Sequence, residues 1–205
     1  VSELAPSSAS AHNNLGAALQ MKGDLRGAAE AYRRSLAVEP ASSAYSNLGT
    51  VHYFLGEFDQ AVANYERATA LAGQDQSLWG NLADAVWQIP GRREEAIGHY
   101  RQAIRLGLRE LESRPTDGLL LAQLGYYYGR AGDAAASRSY LGQAAARGAD
   151  LYVQYYSAVA AADRGDLAKA REGALAAVQL GYPETLLQAD PSLAALDLQK
   201  KNTGG

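Results

Sequence analysis

Leu15-Gly16-Ala17-Ala18-Leu19-Gln20-Met21-Lys22-Gly23-Asp24 and Leu48-Gly49-Thr50-Val51-His52-Tyr53-Phe54-Leu55-Gly56-Glu57 open two stretches that run in step as far as Pro40 and Gly73. In both, a glycine is followed five residues later by alanine (Gly23/Ala28, Gly56/Ala61). Tyrosine comes four further on (Tyr32, Tyr65), and then a small residue (Ser35, Ala68). The same order returns as Gly91/Ala96/Tyr100/Ala103, Gly132/Ser137/Leu141/Ala144 and Gly165/Ala170/Ala174/Ala177. Upstream of each, Leu15-Gly16, Leu48-Gly49, Leu82-Ala83 and Leu124-Gly125 weaken to Ser157-Ala158. The steps between those pairs are 33, 34 and 42 residues, and Gly132 to Gly165 is 33 again. Five copies at one period define a repeat, to be sought before any other signal.

Each copy reads as helix–turn–helix. Apolar residues recur at intervals of 3 and 4, and the alternation of period two that marks strands is absent. The turn carries glycine and then an acid: Gly23-Asp24, Gly56-Glu57, Gly132-Asp133, Gly165-Asp166. Glycine can end one helix in the left-handed conformation, and the acid can accept the free amide hydrogens that start the next. Small residues seven apart share a helix face and allow close approach, with the large residue between them filling the gap.

The remaining composition narrows the function classes. The 205 residues hold 19 Lys plus Arg against 22 Asp plus Glu, a net charge of −3, and no cysteine. Disulfides, thiolate metal sites and cysteine nucleophiles are excluded. A slightly acidic chain lacks the basic footprint of a general nucleic-acid binder. No stretch approaches the roughly 20 apolar residues that cross a bilayer. Direct membrane contact is therefore not expected. The N-terminus shows no signal peptide, and a cytoplasmic location is expected, or an extracytoplasmic one if an upstream span tethers the chain. Tyrosine outnumbers phenylalanine 13 to 2, and the Arg bias with abundant Ala suits a GC-rich bacterial genome.

The register resembles the tetratricopeptide repeat (TPR), whose 34-residue unit has Leu-Gly in its first helix (helix A), Ala and an aromatic in its second (helix B), and Pro at its end. Leu15, Gly16, Ala28, Tyr32 and Pro40 fit it almost completely, as do Tyr45, Leu48, Gly49, Ala61, Tyr65 and Ala68. Trp79, Leu82, Ala96, Tyr100 and Ala103 mark the third copy, and the last two are degenerate. The resemblance implies an all-α fold, a right-handed α-solenoid of about five units. They are expected at 9–41, 42–75, 76–117, 118–150 and 151–181, with a C-terminal cap over 182–198 and a flexible tail over 199–205. In the third unit Ile89-Pro90 adds a residue and closes helix A early. Seven further residues before Leu124 equal nearly two helical turns. One long helix is thus predicted from about Arg92 to Ser113, its face continued by Ile104, Leu108 and Leu111. Residues 1–8, with Pro6 in the place of Pro40, read as the end of a truncated upstream repeat whose open face offers a homo-oligomer contact. The segment around Leu180-Gly181-Tyr182-Pro183 and Leu193–Leu196 resembles the close of TPR regions in bacterial signalling proteins of the kinase, cyclase or winged-helix regulator type.

No catalytic or metal site and no cofactor is expected. His12, His52 and His99 are far apart and outside any H-E-x-x-H pattern, and Gly125, Gly129 and Gly132 lack the Lys-Ser/Thr of a phosphate loop. The stripe Arg101/Arg105/Arg109 reads as a solvated face, or as a dock for an acidic partner. In the TPR family the inner groove is lined by fixed helix-A positions. At one of them stand Asn14, Asn47 and Asn81, then Gln123 and Tyr156. A carboxamide both donates and accepts, so a row of them can read a peptide main chain. Asn is also a poor helix former, so its recurrence asks for a reason. The row resembles the asparagine ladder of the O-linked N-acetylglucosamine transferases; the alternative is that each Asn bonds only to the neighbouring helix. Tyr53, Phe54, Trp87, Tyr126, Tyr152 and Tyr155 fall at other groove positions and would serve as anchors. The Lys and Arg of the carboxylate clamp are missing, since Ser77 and Asn81 stand there. The function implied is a non-catalytic module that binds an extended peptide or a partner helix. The alternative is a regulatory region of a larger bacterial signalling protein.

Overall fold

The computed structural model describes residues 8–148 and 150–196. Among them every regular element is a helix: α1 Ala9–Met21, α2 Leu25–Val38, α3 Ser42–Phe54, α4 Phe58–Leu71, α5 Gln76–Trp87, α6 Arg93–Ser113, α7 Gly118–Arg130, α8 Ala134–Ala145, α9 Leu151–Asp163, α10 Leu167–Gln179, α11 Glu184–Ala189 and a 3₁₀ turn over Pro191–Leu196. The expected truncated repeat at 1–8 lies, but for Ser8, outside the described residues, as does the tail at 199–205. The chain forms two compact units, one through His99 and one from Tyr100.

The turns follow the chemistry expected of them. Gly23, Gly56, Gly91, Gly132 and Gly165 all adopt positive φ, between 75° and 93°, in the turn joining the helices of each pair. Asp24, Asp133 and Asp166 cap the next helix, their carboxylates accepting from the backbone amides of Gly27, Ala136 and Lys169. Glu57 does otherwise: its carboxylate meets Nδ1 of buried His52 at 2.5 Å.

In the N-terminal unit α1 packs on α2, α3 on α4, and α3 also touches α1 and α5. Its core joins Ala28, Ala29, Tyr32, Leu48 and Val51, with Leu19, Leu25, Leu36 and Leu55 around them. Gly16 and Gly49 let the partner helix in: a Cβ there would lie 2.6 Å from the Tyr32 ring and 2.9 Å from the Tyr65 ring. The Tyr32 hydroxyl bonds to Gln20, and burial pushes its pKa up to about 12. Leu48 and Leu82 are 5% and 2% exposed, whereas Leu15, at the same place in α1, is 51% exposed.

In the C-terminal unit α7 pairs with α8 and α9 with α10, and the 3₁₀ turn lies against α9 and α10. Leu121, Ala122, Ala144 and Val153 form a core that Leu111, Tyr140 and Tyr156 flank. The long helix foreseen over about 92–113 is α6, of 21 residues. Its buried face differs in detail from the expected one. Ile104, Leu106 and Gly107 are buried while Leu108 and Leu111 are half-buried. Gly107 faces α7, and a Cβ there would meet Leu124 at 2.9 Å.

Candidate interaction face

The first helices of the pairs carry almost no charge. Among α1, α3 and α5 the only Asp, Glu, Lys or Arg is Asp84. The second helices α2 and α4 hold Arg26, Glu30, Arg33, Arg34, Asp59, Glu66 and Arg67. What α1, α3 and α5 offer instead is amide, hydroxyl and ring.

In the N-terminal unit, Asn14 is exposed and Asn47 and Asn81 are half-buried. Asn47 donates through Nδ2 to Oδ1 of Asn13 at 3.2 Å, so a carboxamide contact links α3 to α1. Asn13, not Asn14, is that partner. The repeat register gave no signal for Asn13, because its equivalents Ser46 and Gly80 carry no carboxamide. At the other end of the same helices, Tyr53 is buried, edge-on to Phe54 and Phe58 at 5.7 and 5.9 Å, and the Gln88 amide approaches its hydroxyl at 3.4 Å. Phe54 and Trp87 are half-buried and Met21 is 59% exposed. Arg93 lies over the Trp87 ring, 4.1 Å from its centre, a cation–π contact made from the next helix. A pocket of about 270 Å³ opens beside these rings, lined by Gly56–Gln60, Gln88, Ile89 and Pro90. His99 lies against Trp79 at 5.7 Å with the rings tilted by 32°, and burial lowers its pKa.

In the C-terminal unit the corresponding residues are committed within the fold. Gln123 and Tyr126 are 9% and 3% exposed, and the Gln123 amide reaches the Tyr156 hydroxyl at 3.4 Å. Tyr126 packs on Tyr156 at 5.5 Å and on Tyr127 at 5.7 Å. Tyr155 donates to Oδ2 of Asp190 at 2.6 Å and stacks on Tyr182 at 4.9 Å with the rings nearly parallel. Asp190, 1% exposed, also accepts from the Ser192 amide at 2.8 Å. Arg130 bonds to Ser192 Oγ and pairs with Asp163 at 2.7 Å. Burial raises the Asp190 pKa, and the Tyr155 and Ser192 bonds and the Arg130 charge oppose it. The cap therefore covers Tyr155, one of the expected anchors, because Asp190-Pro191-Ser192 turns the chain back onto α9. Tyr152, 47% exposed, remains open and meets Tyr182 edge-on. The Arg130, Asp163 and Asp190 cluster had no signal in the repeat register, since Asp190 lies outside the repeats.

Among the described residues no group of three or more His, Asp or Glu could hold a metal ion, and no helix is long and apolar enough to cross a membrane. The chain resembles a thermophilic TPR protein, TTC0263 of Thermus thermophilus, with TM-score 0.63, 20% identity, and 92% of this chain and 98% of that one covered. It also resembles pilF of Pseudomonas aeruginosa, with TM-score 0.56, 18% identity, and 93% and 89% covered. A third likeness is to the anaphase-promoting-complex hetero-tetramer Cut9-Hcn1, with TM-score 0.57, 19% identity, and 94% of this chain but 36% of that one covered. At such identities the likeness is one of fold. A search of curated proteins returns no match. Two family models described as tetratricopeptide repeat match residues 9–42 and 46–110, and the same paired helices continue through α10, so the chain is a tetratricopeptide-repeat protein.

Proposed function

We propose that the protein is a non-catalytic interaction module that takes an extended peptide on the α1–α3–α5 face of its N-terminal unit. Protein interaction is what the repeat type implies; the peptide, the face and the residues are the finer reading. The observation that carries it is the partly open row Asn14, Asn47, Asn81 on helices nearly free of charge. Carboxamides on such a face suit the uncharged, bifunctional main chain better than acidic or basic side chains. Phe54 and Trp87, both half-buried, supply apolar area at the far end of α3 and α5. Gln123, Tyr126, Tyr155 and Tyr156 are left out of the site because their side chains are spent on one another and on the cap.

The test is a peptide array of random sequence probed with the native protein and with Asn47→Ala/Asn81→Ala. Loss of the bound spots by the double variant is expected, at about 1–3 kcal/mol for two truncated contacts near the centre of a site. Helical circular dichroism should be unchanged. An array pattern identical for both proteins rejects the Asn row as the reading device.

A further inference from the structure

Ala44, Leu48 and Val51 share one side of α3, and Leu78, Leu82 and Ala85 share the same side of α5, in each case a turn apart. All six are buried. The preceding second helix covers each set. Helix α2 lies against α3, where Ala28, Ala29 and Tyr32 join Leu48 and Val51 in one core, and α4 lies against α5. The same three places in α1 are Ala11, Leu15 and Ala18. There Ala11 is half-buried, and Leu15 and Ala18 are exposed. Twice in this unit an apolar helix packs along that side of a first helix, and at α1 the side stands open.

Three features decide the occupant. The first is charge. A side laid on its own copy meets the same residues again, so a charge there would face its like and repel. Helix α1 holds no Asp, Glu, Lys or Arg. The second is shape: large Leu15 stands between small Ala11 and Ala18. With two such helices antiparallel, the Leu15 of each copy fits against an alanine of the other. The third is the opposite end of the chain, where head-to-tail stacking is blocked. At the place of Ala29, which belongs to the α2–α3 core, α10 carries Arg171. Its guanidinium donates to the Leu196 carbonyl of the 3₁₀ turn, so the chain's own cap already takes that side. Copies therefore cannot run on as a filament, and the contact closes at two.

We propose that the Ala11, Leu15 and Ala18 side of α1 packs on the same side of α1 in a second copy of this chain, antiparallel about a two-fold axis. The contact is one helix pair, smaller than the about 1,200–2,000 Å² of a standard interface, so the dimer forms reversibly with concentration. It does not depend on which peptide the neighbouring face holds.

The test is sedimentation equilibrium of the full chain from about 1 µM to about 500 µM, a range that spans weak and stable association. The mass should climb from that of one chain toward that of two, and no further. Leu15→Asp sets like charges face to face and should raise the midpoint concentration about tenfold or more. Because Leu15 is exposed, the helical circular dichroism of that variant should match the native protein's. Leu175→Asp changes an equally exposed leucine on α10 and should dimerise as the native protein does, as should Asn47→Ala/Asn81→Ala. A one-chain mass over the whole range overturns the proposal. So does a dimer that Leu15→Asp leaves unchanged, or growth beyond two chains. Array peptides held by a protein that stays monomeric would remove this contact alone, whereas a Leu15-dependent dimer that holds no peptide would remove the peptide reading alone.

Discussion

Gly16 and Gly49 sit where the Tyr32 and Tyr65 rings press against the first helix, and no side chain fits between. Gly98 and Gly142 are also helical, yet a Cβ on either meets nothing within 4 Å. The same change should therefore have opposite signs. Gly16→Ala should cost about 1–3 kcal/mol by overpacking against a ring that cannot retreat. Gly98→Ala should gain up to about 1 kcal/mol, because alanine loses less freedom in a helix interior. Urea unfolding of the two variants measures both; a stabilised Gly16→Ala would show that the helices can part at no cost. The glycine of the Leu-Gly pair was legible in the sequence because three copies, at Gly16, Gly49 and Gly125, repeat it. Asn13 was not, because it lies about 100° around the helix from Asn14 and its equivalents in the next two copies, Ser46 and Gly80, carry no carboxamide.

The cap, α11 with its 3₁₀ turn, depends on a buried carboxylate. Asp190 is held by Tyr155 and the Ser192 amide, and burial keeps its pKa above the ordinary 3.8. The folded cap thus holds that proton more tightly than the unfolded chain does. The stability this group contributes is present below the ordinary value and is lost as pH rises toward the raised folded value. Asp190→Asn removes the titration while keeping the shape. Its stability relative to the native protein should climb as pH rises above 3.8 and then level off. Denaturant melts at several acidic and neutral pH values measure this, and parallel curves for the two proteins would show that Asp190 does not titrate there. Helix α6 teaches a related lesson. Its length was legible because seven extra residues preserve a helical face. The burial of Leu106 and Gly107 in place of Leu108 was not, because it depends on where Leu120 and Leu124 of α7 arrive.

At the scale of the molecule, the all-α architecture was legible because a periodic signal repeated five times outweighs the loss of any single residue. The site was legible only in part. The register aligned Asn14, Asn47, Asn81 and Gln123 as equals, but tertiary packing buried Gln123 against Tyr156, half-buried Asn47 and Asn81, and left Asn14 exposed. A segment outside the repeats, Asp190 to Ser192, took Tyr155. The segregation of charge onto the second helices makes a further prediction. Complexes formed on α1, α3 and α5 should keep their affinity, within about a factor of two, between about 50 mM and 500 mM salt, because ionic screening acts on charges that this face nearly lacks. Titrations at the two salt concentrations check this, and a tenfold weakening would place the contact on the charged second helices instead.

A face so poor in charge also exerts little long-range pull. A visitor finds it by unguided diffusion, at the roughly 10⁵–10⁶ M⁻¹s⁻¹ of neutral encounters. Any gain in tightness must then come from how slowly the visitor leaves, so residence time is the quantity that amide and ring contacts on these three helices are built to set.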